Sequence, residues 1–433
     1  MKILMITPRF PYPPDRGDRL RWWSELEFLA RRHEVWLASA DTRRPGPAHL
    51  DVVRRCCRDV AVFTRPGIWC LARAALRLSL AQSATAGYCF DRRLARRVRR
   101  WSSQVGFGAV LTCSSAMTPY AELVSARRFV LDMADVDSVK WRVYATRSRW
   151  PFRALYSLEA RRLARLERHC VRHHDICVVV NERERRKLLE GTCPRATGVL
   201  RTCVDPAQYT CLNALPESRA PVREPVIGMV GSMFYPPNVR AVNWFGRYVW
   251  PLVRAARPDA RWLIVGARPT RAVRAWGRQP QVTVTGYVPD IVPHLARMRV
   301  FVDPVEGHLG VQSKVIVALA AGRPVVVTPD GAAGIDYGQT PPFLIAGSPG
   351  GFAEAVLRLL EDDGLASKLA ELGRRVVAAN YRAETQLGQL EHWLSAEAAV
   401  AADVLRHSAA PAAGAVRRAP RHFTVGAMER RAR

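Results

Sequence analysis

The sequence predicts an α/β protein of two doubly wound, Rossmann-like domains, and three observations carry that reading. Two series of short, apolar, β-branched segments alternate with helical patterns, one ending near residue 205 and one starting at 226. Runs of this kind suit parallel strands covered by helices on both faces. A polar, Pro-rich, aperiodic stretch, Pro206–Pro225, separates the two series and reads as a linker. The chain has 433 residues, more than a single core usually supports.

In chain order, Lys2–Thr7 reads as a buried first strand rather than a signal peptide. The Pro-rich loop PRFPYPPDRGD follows, with Gly17 near its end, and then a helix over DRLRWWSELEFLARRH. Further strands are expected at Glu34–Ser39, Asp59–Phe63, Ala109–Thr112, Phe129–Asp132, Ile176–Val180 and Gly198–Leu200. Basic helical stretches lie between them, notably Asp91–Trp101 and Arg153–His173. In the second of these, Leu155, Leu158, Leu163, Leu166 and Cys170 share one face, with Arg161, Arg165, Arg168 and Arg172 roughly opposite. That stripe reads either as a solvated face or as a contact for anionic lipid.

The second series comprises Val226–Val230, Trp262–Val265, Val282–Thr285, Val300–Val302, Pro324–Thr328 and Phe343–Ile345, with a helix expected at Val239–Ala256. From Gly350 to about Glu397 the pattern is helical, and residues 396–433 read as a basic, disordered tail. The domains are therefore expected at 1–205 and 226–395, joined by 206–225.

The formal net charge is +28, from 66 Lys and Arg against 38 Asp and Glu, and the excess is almost all arginine. It fits an anionic partner or a codon bias toward arginine and alanine. No RRM, zinc-finger or helix-turn-helix pattern carries the arginines, which argues against nucleic acid. The ten cysteines show no CxxC pair or metal-ligand spacing and read as reduced thiols in a cytoplasmic protein. No window approaches the roughly 18 apolar residues of a membrane span, which leaves attachment to a membrane surface open.

The stretch Val282–Asp336 organises the functional reading. Its segment GHLGVQSKVIVALAAG places a loop directly before a helix N-terminus, where unpaired N–H groups and the helix dipole favour an anion. A dipole alone favours an acidic residue in the first turn, so Lys314 there suggests an anion to hold.

The motifs MVGSMFYPPNVRAVNWF, WLIVGARP, VTVTGYVPDIVPHLA, VQSKVIVALAAGRPVVVTP and the opening PYPPDRGDRLR resemble family 4 glycosyltransferases of the GT-B architecture. Together with DMADVDSVKWRVYA they are more closely similar to the sugar transferases associated with exopolysaccharide and exosortase (PEP-CTERM) systems. The resemblance covers most of Met1–Leu394. It implies two domains facing across a cleft, C-terminal helices closing back, and a nucleotide-sugar donor on the C-terminal domain. Tyr287, Val288 and Pro289 would lie against the base, Gln312, Ser313 and Lys314 would face the pyrophosphate, and Gly231 and Ser232 would let the backbone approach the donor. Gly17 would bring the first loop close to the reacting sugar, and Asp135 and Asp137 would line the cleft. The resemblance also implies retention of anomeric configuration and no metal or other cofactor. The acceptor would be lipid-linked or a polysaccharide, with the enzyme peripheral to an anionic membrane surface at the inner face of the plasma membrane.

Chemically, cleavage of a sugar–phosphate bond builds negative charge on the leaving diphosphate. Lys314 is the first candidate to stabilise it and Arg240 the second. Each residue also has a plain structural reading. Lys314 would be an exposed helix lysine, Asp135 and Asp137 turn or cap residues, Arg240 surface, and Gly17 a turn with positive φ. Tyr287 would be packing, Gln312 and Ser313 caps, and Gly231 and Ser232 a strand end.

The chain departs from the family at several polar positions. Val317 stands where a ribose-binding Glu is usual, and Leu309 where a Glu or Arg is common, with the nearby loop residue Glu306 as a possible substitute. Cys203 replaces a Gly in RTCVD, and Phe234 and Arg240 stand where Asp is frequent. These changes open a second reading, a noncatalytic homologue that binds or scaffolds.

Overall fold

Two parallel sheets, each with helices on both faces, make up the computed structural model of the chain. It describes residues 1–14, 17–65, 67–79, 82–205, 209, 224–307 and 310–396. The first sheet contains β1 (Lys2–Thr7), β2 (Glu34–Asp41), β3 (Asp59–Thr64), β4 (Phe107–Cys113), β5 (Ala126–Ala134), β6 (Ile176–Val179) and β7 (Thr197–Val199). Its order is β3-β2-β1-β4-β5-β6-β7, all parallel. The second contains β8 (Val226–Val230), β9 (Arg261–Val265), β10 (Val282–Val284), β11 (Val300–Asp303), β12 (Val325–Val327) and β13 (Leu344–Ile345), in the parallel order β10-β9-β8-β11-β12-β13. In each sheet the chain winds one way from the first strand and then reverses, so β1/β4 and β8/β11 are topological switch points. Ligands of such sheets bind outside the carboxyl ends of the strands there.

The strand expectations hold to within a few residues. The largest extension is in β5, which begins at Ala126 rather than Phe129. Arg127 and Arg128 mask its start in the sequence. Arg128 is buried because its Nε donates to the Trp393 carbonyl at 3.0 Å, an acceptor supplied from the far end of the chain. The expected Val239–Ala256 helix starts earlier, at Pro236, and contains a π-helical turn at Phe245–Val249.

The basic helix Phe152–His173 differs from its predicted face. Leu163 and Cys170 are buried as expected, but Leu155 is exposed, and Glu159 and Glu167 are buried. Each glutamate caps a neighbouring helix. Glu159 accepts from Ser83 Oγ at 2.7 Å, Ala84 N at 2.8 Å, and Thr85 N and Oγ1 at 2.9 and 2.8 Å, at the start of helix Ala84–Cys89. Glu167 accepts from Ser138 N at 2.9 Å, in the first turn of helix Asp137–Thr146. A buried carboxylate is tolerated where unpaired helix N–H groups surround it.

The C-terminal helix Ala383–Ser395 returns to the first domain. Leu390, Trp393 and Leu394 join the core of Ile3, Leu26 and Leu111, so this helix, grouped by sequence with 226–395, packs with 1–205. The Trp393 ring fills the space beside Gly198, where an added Cβ would lie 2.5 Å from it. Arg201 Nε pairs with Asp336 at 2.7 Å, and Asn181 Nδ2 donates to the Gly334 carbonyl at 3.3 Å, linking the two domains directly. Apart from Tyr209, which is buried, and residues 224–225, the expected linker lies outside the described residues, as does the tail beyond 396. Among the described residues no helix is long and apolar enough to cross a membrane, and none of their cysteines is paired.

Candidate active site

The C-terminal half of the site forms at the β8/β11 switch point. β8 ends at Val230 and leads into Gly231–Ser232, and β11 ends at Asp303, whose side chain is fully buried. The helix Ser313–Ala320 starts opposite them without a side-chain cap. From its first turn Lys314 Nζ reaches back to Asp303 Oδ1 at 2.8 Å and donates to Asn238 Oδ1 at 2.9 Å. Asn238 in turn donates through Nδ2 to the Ser232 carbonyl at 3.1 Å. Lys314 is thus a half-enclosed cation tied to both strand ends, not a solvated helix lysine.

Glycines make this convergence possible. A Cβ on Gly231 would lie 2.7 Å from Asn238 Nδ2, and one on Gly266 only 1.7 Å from the Gly231 carbonyl oxygen. Gly266 also has φ +152°, a backbone that side chains rarely adopt. Its N–H donates to the Gly286 carbonyl at 3.2 Å, which brings the loop before Tyr287–Pro289 beside the same strand ends. Tyr287 is 73% exposed and Pro289 is exposed, while Val288 packs partly against the core. Gln312 is buried, and its Nε2 has no hydrogen-bond partner.

The first domain supplies the other half. A Cβ on Gly17, the first residue of the helix Gly17–Ala30 rather than part of a loop turn, would lie 3.5 Å from Ser313 Oγ, so this helix start faces the helix that carries Lys314. The φ of Gly17 is not left-handed and a Cβ there would make only an ordinary contact, so neither the backbone nor the packing requires glycine at this position. Behind this helix start lies a cleft of about 590 Å³, lined by Asp135, Asp137, Lys140 and Arg65 from the first domain and by Phe234 and Arg268 from the second. Ser114 (φ +77°) and Ala134 (φ +57°), at the ends of β4 and β5, line it too. Non-glycine residues in this region cost roughly 1–3 kcal/mol each and cluster at functional sites.

One cleft carboxylate, Asp137, is perturbed. Burial, with Asp135 and Glu184 adding to it and Lys140 and Arg9 opposing, pushes Asp137 up to about 6. Burial works against the Lys140 ammonium, but Asp137 and then Asp135 outweigh it and hold Lys140 above its ordinary value. Arg65 is buried, with Nη groups donating to the carbonyls of Ala40 at 2.7 Å, Pro8 at 3.4 Å and Tyr88. Deeper in the first domain, ligand atoms of Glu25, Cys113 and Asp132 lie within 4.8 Å of one another. Arg21 chelates Asp132 there at 2.7 and 2.8 Å and lies 3.2 Å from Glu25, so a guanidinium already supplies the cation. Burial, then Asp132, hold Glu25 well above the ordinary carboxylate range.

The structure therefore draws together Gly17, Gly231, Ser232, Gln312, Ser313 and Lys314, and puts Asp135 and Asp137 in the adjoining cleft. Arg240 is exposed; Asn238, two residues earlier and not singled out by the sequence, reaches Lys314 in its place. Asp303 was missed as well, although its position at the end of a switch-point strand marks it. Phe234 has a partner for its ring, the Arg268 guanidinium 3.8 Å from the centroid. Val317 packs half-buried against the core, Glu306 is exposed, and Leu309 lies outside the described residues.

Residues 224–362 match the family described as glycosyl transferases group 1, a segment that contains the whole second-domain half of the site. Among solved structures the chain is similar to sucrose-phosphate synthase from Thermosynechococcus elongatus, with a TM-score of 0.63 and 15% identity over 90% of this chain and 98% of that one. It is also similar to the Anabaena protein HepE, solved with UDP-glucose, with a TM-score of 0.62 and 13% identity over 91% and 99% of the two chains. The fold is GT-B. A third GT-B relative in structure is α,α-trehalose 6-phosphate synthase from Burkholderia multivorans, with a TM-score of 0.59 and 12% identity over 93% and 99%. No curated protein matches the sequence. In GT-B terms, the facing Gly17 and Ser313 turns lie between the domains, at the carboxyl ends of both sheets.

Proposed function

We propose that the protein is a glycosyltransferase that moves a sugar from a nucleotide-diphosphate donor to a lipid-linked or polysaccharide acceptor in exopolysaccharide or cell-envelope glycan synthesis. The observation that carries this reading is the meeting of Ser313 and Gly17, with Lys314 anchored beside them on Asp303 and Asn238. The family match over residues 224–362 supports the donor side of the proposal. Tyr287–Pro289 would receive the base, and Gln312, Ser313 and Lys314 the diphosphate.

As the bond from sugar to phosphate breaks, the leaving diphosphate gains negative charge, which the N-terminal amides of the Ser313–Ala320 helix and Lys314 would stabilise. Asp135 and Asp137 would orient the acceptor hydroxyl or stabilise positive charge on the sugar ring. The reaction is proposed to retain configuration without a metal, at the inner face of the plasma membrane. Incubating the protein with individual nucleotide sugars and following nucleotide diphosphate release tests the proposal: release with one donor supports it.

Two observations favour a second reading, a GT-B homologue that binds without transfer. Position 317 offers only a half-buried valine to a ribose, and Lys314 is already paired. Donor binding with no release of nucleotide under any acceptor would select that reading.

A further inference from the structure

The hairpin formed by helices Asp137–Thr146 and Phe152–His173 ends in an unusual surface. Four of its large apolar side chains are exposed there: Trp150 at 82%, Phe152 at 57%, Leu155 at 42% and Tyr144 at 41%. The rings of Trp141, Tyr144, Phe152 and Tyr156 form a connected set, with Trp141 5.2 Å from Tyr156 and 6.0 Å from Tyr144, and Phe152 6.1 Å from Tyr156. Around them stand the exposed Arg142, Arg147, Arg149 and Arg153, and the sequence from Val139 to Leu158 contains no acidic residue. Burying such a patch against the protein itself would have been favourable, so its exposure calls for a partner.

We infer that this hairpin tip docks the protein on an anionic lipid bilayer, with Trp150, Phe152 and Leu155 entering the headgroup boundary and the arginines meeting lipid phosphates. Aromatic residues with aliphatic and arginine neighbours partition to that boundary, and each nearby cation adds attraction on an anionic surface. The absence of acidic residues fits a uniformly negative partner better than a protein surface of mixed charge. The surface differs from the Arg161–Arg172 stripe, which has no exposed aromatic residue beside it in the helix. It also touches the second domain: Arg147 Nη1 donates to the Gly307 carbonyl at 3.3 Å, in the loop that leads toward Lys314. Docking would thus hold the cleft close to the bilayer. The inference rests on the membrane location proposed above and gives it a surface; docking and donor binding are measured separately, so failure of one is distinguishable from failure of the other.

The test is co-sedimentation of the full chain with phosphatidylcholine vesicles and with vesicles that also contain phosphatidylglycerol. The expected result is binding to the anionic vesicles only, weakened about tenfold or more in a Trp150→Ser, Phe152→Ser variant. An Arg149→Glu, Arg153→Glu variant should lose the preference for anionic lipid. Both variants alter exposed side chains, and unchanged melting curves would show that they fold. Failure of the full chain to bind anionic vesicles would overturn the inference, and so would equal binding by the Trp150/Phe152 variant. Binding of single-stranded oligonucleotides through the same residues, in preference to vesicles, would overturn it too.

Discussion

Lys314 Nζ lies 2.8 Å from Asp303 Oδ1, an ion pair between the first turn of a helix and the buried end of the strand at the switch point. The pair gives Lys314 two roles that mutation can separate. Replacing Lys314 with Ala leaves Asp303 buried and uncompensated, and stability should fall by about 3 kcal/mol. The double variant Lys314→Met, Asp303→Asn should recover most of that loss in thermal melts. Donor binding should stay lost in both. A double variant that regains donor binding would show that Lys314 serves the fold alone.

Two glycines near the site should respond in opposite ways. Gly266→Ala drives a Cβ to 1.7 Å from the Gly231 oxygen at a backbone of φ +152°, and should destabilise by about 3 kcal/mol or more. Gly17→Ala meets Ser313 Oγ at an ordinary 3.5 Å, so its melting should change by less than about 0.5 kcal/mol. Transfer should still fall by about tenfold or more, because the added methyl stands between Gly17 and Ser313, where the proposal puts the reacting sugar. Denaturant melts and kcat/KM, measured on both variants, check the contrast.

Asp137 predicts the pH dependence. If its carboxylate serves transfer, the rate should drop roughly tenfold per pH unit below about 6, and Asp137→Asn should be slow with no such step. Stability moves the other way. A carboxyl raised in the folded state contributes stability that is fully present below its unfolded value near 3.8 and is lost as pH rises through about 6. Glu167, pushed by burial to about 7, adds a second loss between about 4.5 and 7. Melting temperatures of wild type, Asp137→Asn and Glu167→Gln across that range should show each step removed in turn.

Glu159 tests the buried caps. Removing it leaves the Ser83 and Thr85 hydroxyls and the Ala84 and Thr85 amides without their acceptor. Glu159→Ala should cost about 3 kcal/mol and Glu159→Gln clearly less, read from urea unfolding midpoints.

Much of the fold was legible because β-branched runs such as Val325–Val327 have little alternative to a covered parallel strand. What escaped were polar residues whose partners come from distant parts of the chain. Arg128 looks like a loop residue until the Trp393 carbonyl is beside it, and Glu159 and Glu167 look solvated until two helix starts surround them. The same reason governs the site. Lys314 and Gly17 stand out locally by type and position, but Asp303 and Asn238 gain meaning only when Lys314 arrives between them. Arg240 carries the formal charge that reasoning by residue type prefers, yet it sits on the exposed side of its helix.

The most direct test of the central claim is calorimetric titration of the full chain with a panel of nucleotide-diphosphate sugars, in parallel with the Lys314→Met, Asp303→Asn variant. The account predicts that one donor binds the wild type and that the folded variant fails to bind it. No binding of any donor by well-folded wild type, or equal binding by the variant, would contradict the proposal that the Lys314 turn grips a diphosphate.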